Sequence, residues 1–319
     1  MKKVFVAGHR GLVGSATVEA LTALGGYKII TRTHSELDLS DRAATREFFM
    51  AHRPDHVVMC AAKVGGILAN LSLPVDFLHI NLAIQLSVFE AAHAAGIDRM
   101  IFLGSSCIYP RDCPQPIRED YLLTGPLEET NRPYALAKIA GVEACWSFNR
   151  QHQARYLALM PTNLYGPGDN YHPNHSHVLP ALIRRFHEAK ENGAPSVTVW
   201  GSGKPRREFM HSSDVGDAIA FLLGLPTQDF EALTSPDKAP LINVGVGEDI
   251  TIRELAERVK ATVGYDGELA LDPSKPDGTP RKLMDVTRMY SLGWKAKTSL
   301  DTGLRSAYQD FITRYATQS

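Results

Sequence analysis

Two short stretches carry groups able to move protons and hydride. Gly104-Ser105-Ser106-Cys107-Ile108-Tyr109-Pro110 follows the apolar run at 100–103, and Tyr134-Ala135-Leu136-Ala137-Lys138 comes about one helix and loop later. A Tyr and a Lys four residues apart share one face of a helix. There the ammonium can lower the phenol's pKa and make it an acid or base usable near neutral pH. Ser105 offers a second polar group to a carbonyl oxygen. Cys107 is the unusual member, because plain carbonyl reduction needs no thiol at that place. With a reference pKa of about 8.5, a thiol lies close enough to neutrality to shuttle a proton, as does an imidazole at about 6.5. Three imidazoles, His172, His175 and His177, stand in a loop further on. Spacing alone does not select one of them.

A third stretch, Gly8-His9-Arg10-Gly11-Leu12-Val13-Gly14, falls between the first predicted strand and the first predicted helix. Gly8, Gly11 and Gly14 let the backbone turn tightly and approach a pyrophosphate seated on the helix N-terminus. The spacing is G-x-x-G-x-x-G rather than G-x-G-x-x-G, so its position after a strand carries the assignment. A carboxylate at the end of the second strand would favour NAD. Here that strand runs into Thr31-Arg32-Thr33-His34, with no acid until Glu36. Arg32 together with Arg10 suits a 2′-phosphate, so NADPH/NADP is the expected cofactor. Asp38 and Leu39 are candidates for the adenine.

Positioning these groups requires strands that alternate with helices. Strands are predicted at 3–7, 27–31, 56–61, 99–103 and 155–160. Helices are predicted at 14–24, from a cap at Ser40 or Asp41 to His52, around Leu82, Leu86, Phe89 and His93, and at 134–150. That alternation means a parallel, doubly wound sheet of Rossmann type. After Pro161 the rhythm breaks into a Gly-, Pro-, Asn-, Asp- and His-rich loop. Helices then follow at 178–189, 214–223, to Val263 from a cap at Thr251 or Asp249, and at 300–315. Strands follow at 197–200 and 241–246. The expectation is an α/β protein with a smaller α/β substrate-binding lobe. Residues 1–164 plus about 208–248 would form the cofactor domain, and about 165–207 plus 249–319 the second lobe.

The 319 residues hold 34 Lys and Arg against 35 Asp and Glu, a net charge of −1 that argues against a nucleic-acid or membrane-surface partner. Any anionic ligand must be met by a local basic cluster. Cys60, Cys107, Cys113 and Cys145 are sparse and lack paired metal spacing, which suits a reducing cytoplasm. The loop histidines have no Cys companions, so no metal is expected. The opening Met1-Lys2-Lys3 resembles a signal n-region, but the apolar run stops at Gly8, and no stretch of about 18 apolar residues predicts a span.

The glycine loop, Ser105 at a strand end, and Tyr134 with Lys138 together resemble the extended short-chain dehydrogenase/reductase family over nearly the whole chain. The resemblance implies that Tyr134 is the acid/base, that Lys138 holds the nicotinamide ribose and lowers the Tyr pKa, and that Ser105 bonds the reacting carbonyl. It assigns the cofactor to the glycine loop, to Arg32 and His34, to Leu103, Gly104, Ser105 and Ser106, and to Pro161, Thr162, Asn163, Leu164 and His177. More specific motifs are Ala62-Lys63-Val64-Gly65-Gly66, Asn174-His175-Ser176-His177-Val178 and Pro276-Asp277-Gly278-Thr279-Pro280-Arg281-Lys282. They resemble the family's branch that is epimerase and reductase in one site. That branch takes GDP-4-keto-6-deoxy-mannose to GDP-L-fucose with NADPH.

In such a site a ketone at carbon 4 acidifies the hydrogens on carbons 3 and 5, and inverting each needs a base on one face and an acid on the other. By resemblance Cys107 is the base and His177 the acid, with His175 next in line. Arg185, Trp200, Arg207, Asp277 and Lys282 are the implied substrate contacts, while Arg184 and Arg206 read equally well as surface charges. A homodimer through a four-helix bundle of the helices near 82–95 and 134–150 is also implied. The alternatives are a nucleotide-sugar 4-epimerase or dehydratase that recycles bound NAD, a GDP-colitose-type synthase, or an inactive nucleotide sensor.

Overall fold

Near-continuous apolar runs such as Val4-Phe5-Val6-Ala7 and His56-Val57-Val58-Met59 are buried along their length, as strands covered on both faces must be. The computed structural model describes residues 1–173, 176–275 and 277–315. Its first half runs β1 (Lys2–Ala7), α1 (Leu12–Leu24), β2 (Tyr27–Ile30), α2 (Arg42–His52), β3 (His56–Met59), α3 (Ile67–Ser72), α4 (Pro74–Ala94), β4 (Arg99–Leu103), α5 (Arg132–His152) and β5 (Arg155–Pro161). Then come β6 (Asn163–Tyr165), α6 (Val178–Glu191), β7 (Ser196–Trp200), β8 (Arg206–Arg207), β9 (Phe209–His211), α7 (Ser212–Gly224), α8 (Thr227–Leu233) and β10 (Leu241–Val244). The chain ends with β11 (Ile250–Thr251), α9 (Ile252–Val263), β12 (Glu268–Asp272), β13 (Arg281–Lys282), α10 (Thr287–Ser291) and α11 (Leu300–Arg314).

Six strands form one parallel sheet in the order β10-β5-β4-β3-β1-β2. The chain steps from β1 to β2 on one side and returns with β3 on the other. A crevice therefore opens beyond the carboxyl ends of β1 and β3, where open α/β sheets bind nucleotides. Helices α2, α4 and α5 cover one face around Phe49, Phe89 and Phe102, and α1, α7 and α8 cover the other around Leu21, Ile219 and Phe230. A third apolar cluster, with Tyr171, Phe186, Leu255 and Phe311, joins α6, α9 and α11 to β7 and forms the smaller lobe. Met284 and Val286, then Met289 and Trp294, pack back into the two cores of the main sheet.

Several local features differ from the sequence expectation. The helix expected around Leu82 begins at Pro74, where proline's fixed φ and Asp76 in the first turn suit a helix start. Helix α5 begins two residues before Tyr134, again with a proline in its first turn. Of the paired cap candidates, Asp41 accepts from the N–H groups of Ala43 and Ala44 at 2.9 and 3.0 Å, while the Ser40 hydroxyl donates to Asp38. Thr251 caps α9 in a reciprocal box with Glu254, and Asp249 is engaged elsewhere. Strands β6, β8, β9, β11, β12 and β13 and helices α3, α8 and α10 were not expected. Most of these strands span two or three residues, too short to show a period.

Candidate active site

The crevice at β1 and β3 is built by close backbone approach. Gly8 adopts φ +80°, and a Cβ there would lie 2.7 Å from the Ala61 nitrogen after β3. A Cβ on Gly14 would lie 2.1 Å from the Gly8 carbonyl oxygen, to which Gly11 N–H donates at 3.0 Å. The turn thus delivers Leu12 and buried Val13 as the start of α1, with Gly11 as a cap that offers no side chain. This cradle fits a dinucleotide's pyrophosphate. His9 beside it has a buried Nδ1 with no protein partner.

At the end of β2, Arg32 is already fixed. It donates to the Thr31 carbonyl at 2.8 Å, lies 3.0 Å from His52 Nε2, and sits 5.3 Å from the Phe48 ring centroid. Glu36 turns back to accept from Thr33 N–H and hydroxyl at 2.7 and 2.8 Å. Those bonds, with smaller help from Arg32 and Arg10, hold its carboxyl below the usual range. His34 is exposed, 3.8 Å from Asp38, whose carboxylate is occupied by Ser40. The Leu39 side chain lies in the main core.

The catalytic candidates converge at the ends of β4 and β5. Ser105 is in extended conformation and its hydroxyl accepts from Cys107 N–H at 3.4 Å. Gly104 and Ser106 flank it in buried positions, and Leu103 supplies the carbonyl to which Lys138 Nζ donates at 2.7 Å. Lys138 is 2% exposed, with its ammonium 5.6 Å from the Tyr134 ring centroid. Burial draws the Lys138 pKa down to about 8. Burial also pushes the Tyr134 phenol above its usual value; nearby Cys107 adds to this and the Ser105 hydroxyl opposes it. The sequence reading had Lys138 lowering Tyr134. In the protein alone desolvation dominates: Lys138 is buried, and protein packed around the half-buried Tyr134 thins its access to water.

Cys107 is buried and its thiol is likewise pushed up by desolvation, against which Lys282, Ser105 and Lys138 act. His177, ahead of α6, is drawn below the usual imidazole range by desolvation and by the charge of Lys282. Lys282 is thus a common neighbour of the candidate base and the candidate acid. His175 and Asn174 lie outside the described residues, as does Pro276.

A cleft of about 360 Å³ opens beside Cys107, with Arg207, Asp277, Lys282 and Asn131 among its walls. Asp277 accepts from Ser202 N–H and hydroxyl at 2.8 and 2.6 Å and is the acidic neighbour of Arg207. Trp200 is 62% exposed rather than core filling. The Arg185 guanidinium lies 5.6 Å from its ring centroid and the Lys275 ammonium 5.7 Å. Ser105, Tyr134, Lys138, Arg185, Trp200 and His177 are not among the residues walling this cleft.

Sequence reasoning missed three residues here. Asn131 has a buried Oδ1 with no partner and does not cap α5. Glu128 lines the cleft and pairs with Arg111 at 3.4 Å. Glu208 is fully buried and accepts from the N–H groups of Val246, Gly247 and Met284 at 2.6, 2.7 and 2.9 Å. Its own carbonyl receives the Asn163 amide at 2.8 Å and the Thr162 hydroxyl at 3.3 Å, which fixes the segment after Pro161; Leu164 packs against the main core.

Residues 4–232 match the model of the NAD dependent epimerase/dehydratase family. The chain is 53% identical to a putative GDP-L-fucose synthase 2 of Arabidopsis thaliana, covering 97% of this chain and 92% of the relative. It is 51% identical to the GDP-L-fucose synthase of Escherichia coli (strain K12), covering 98% and 97%. Among solved structures, a GDP-mannoheptose C4 reductase of Campylobacter jejuni with NADP bound superimposes with a TM-score of 0.87 at 37% identity, covering 97% and 98%. The chain therefore belongs to the NAD dependent epimerase/dehydratase family, in the branch that holds the GDP-L-fucose synthases.

Proposed function

We propose that this protein converts GDP-4-keto-6-deoxy-D-mannose to GDP-L-fucose, inverting carbons 3 and 5 and reducing carbon 4. The observation that carries the reading is Cys107: a thiol lining a cleft that also holds Arg207 and Lys282, one turn of chain from Ser105. Likeness to the E. coli and Arabidopsis synthases supports the substrate and product. The cradle at Gly8 and Gly14 and the fixed Arg32 support NADPH, as does the NADP-bound neighbour. The cofactor would be held by the domain built from 1–164 and about 208–248.

The residues divide the work as follows. Arg207 and Lys282 meet the diphosphate, and Trp200 offers a face to the base. Ser105 and Tyr134 donate to the carbon-4 oxygen as negative charge gathers on it. Cys107, as thiolate, takes the proton from carbon 3 or 5, and His177 returns one to the opposite face. Lys282 beside both favours the Cys107 thiolate that starts an inversion, and by disfavouring the His177 imidazolium it makes that cation, once formed, the readier proton donor. NADPH, when bound, supplies the hydride for carbon 4. Tyr134 then delivers its phenolic proton to the oxygen, with Lys138 behind it.

Helix α4 packs on α2 and α5 and exposes Val75, Ile80 and Leu86, while Leu136 is exposed on α5. Paired with a second copy, these two helices would make the four-helix bundle of a homodimer. By length and composition α4, with mean hydropathy 1.2, could cross a membrane, but its Val88 and Phe89 are core residues of the main sheet. A cytoplasmic enzyme is the proposed setting, in keeping with four free cysteines.

The test is incubation with GDP-4-keto-6-deoxy-mannose and NADPH in deuterated water. Expected are NADPH consumption and deuterium at both carbon 3 and carbon 5. Reduction without exchange overturns the epimerase part. Cys107→Ser is expected to abolish exchange and spare cofactor binding; Tyr134→Phe is expected to abolish reduction.

A further inference from the structure

One wall of the cleft is a ladder with only two residues in each strand: β11, β8 and β13, with β8 in the middle. In register, Arg206 stands beside Arg281 and Arg207 beside Lys282. Neighbouring residues of a strand point to opposite faces. Arg207 and Lys282 line the cleft, and Arg281 reaches its edge; Arg206 and Arg281 both converge on Asp249, which lies outside the cleft just before β11. Asp249 Oδ1 receives Arg206 Nε at 2.6 Å, and Oδ2 receives Arg281 Nε at 2.5 Å. Its backbone carbonyl receives Arg206 Nη2 at 2.7 Å. The Asp249 side chain is 3% exposed, so this carboxylate has left water for two arginines.

The arginines it grips are the residues immediately before Arg207 and Lys282. Arg207 Nη1 also donates to the Arg206 carbonyl at 2.8 Å, so the position of Arg206 sets that of the Arg207 guanidinium. Two like charges side by side repel. With two-residue strands, little of the ladder itself resists their spreading.

We propose that Asp249 is a positioning residue for substrate binding: from outside the cleft it clamps Arg206 and Arg281 and thereby fixes the spacing at which Arg207 and Lys282 meet a diphosphate. The inference rests on the nucleotide-sugar reading given above. A like-sized neutral side chain at 249 keeps the volume and removes the charge that holds the arginines.

The experiment uses the full-length protein loaded with NADPH and takes GDP as probe. For Asp249→Asn, the Kd for GDP and the KM for the keto-sugar are expected to rise about tenfold or more, with kcat and NADPH affinity changing less than about twofold. Asp249→Glu is expected to recover most of the loss, which a purely structural role would not predict. Arg206→Lys, a milder change outside the cleft, is expected to give the same split at smaller size and covers the case in which Asp249→Asn does not fold. A folded Asp249→Asn protein with wild-type GDP affinity overturns the clamp alone. So does a loss that falls equally on GDP and NADPH. A wild-type protein that does not bind GDP overturns both the clamp and the nucleotide-sugar reading.

Discussion

Replacing Lys138 by Met should make this protein more stable at neutral pH while removing its hydride chemistry. Lys138 is 2% exposed and its pKa falls from 10.5 to about 8. At about 1.4 kcal/mol per unit, the folded state pays about 3 kcal/mol to hold the ammonium at pH 7. A Met of similar length avoids that cost but leaves the Leu103 carbonyl without its 2.7 Å donor, a loss of about 1–2 kcal/mol. The net gain is about 1–2 kcal/mol, or about 2–3 °C in Tm. The sign depends on pH. Because the folded pKa lies below the unfolded one, the wild-type penalty is complete below pH 8 and disappears as pH rises to 10.5. Above that point only the unpaired Leu103 carbonyl remains, and the Met variant becomes the weaker protein. Urea unfolding of the cofactor-free protein at about pH 7 and about pH 10.5 measures both limits. A Met variant less stable at neutral pH, or a difference that ignores pH, refutes the reasoning.

Two smaller predictions concern the binding surfaces. Gly14→Ala places a Cβ 2.1 Å from the Gly8 oxygen, so the cradle must open; NADPH should bind about 30-fold more weakly, or about 2 kcal/mol, by fluorescence titration. Wild-type affinity would show that the turn does not seat the pyrophosphate. Asn131→Ala removes an amide whose Oδ1 has no internal partner, so Tm should hold within about 1 °C while the KM for the keto-sugar rises about tenfold. An unchanged KM would remove Asn131 from the sugar's contacts.

The main sheet was legible because its strands are apolar runs and its helices are periodic, and because Gly8, Ser105, Tyr134 and Lys138 sit at fixed offsets from them. What was not legible depends on three dimensions. Asp249 read as a cap candidate because it precedes a helix, but Thr251 with Glu254 makes the stronger local bond and leaves Asp249 to arginines distant in sequence. Arg206 read equally well as a surface charge because its partner Asp249 lies 43 residues further on. The rise of the Tyr134 pKa comes from burial among residues brought together by folding, which no i,i+4 rule contains. Glu208 gave no signal at all, since its partners are backbone groups 38 and more residues away.

That buried glutamate limits how the molecule can be taken apart. One carboxylate oxygen is held by the loop after β10 and the other by the N–H of Met284, with the bearing strand segment adjoining β8 in the ladder wall. A chain cut after residue 248 would strip one oxygen of its Met284 donor and leave a charge stranded in the core. A chimera that takes its tail from a relative must therefore bring a backbone able to close on Glu208.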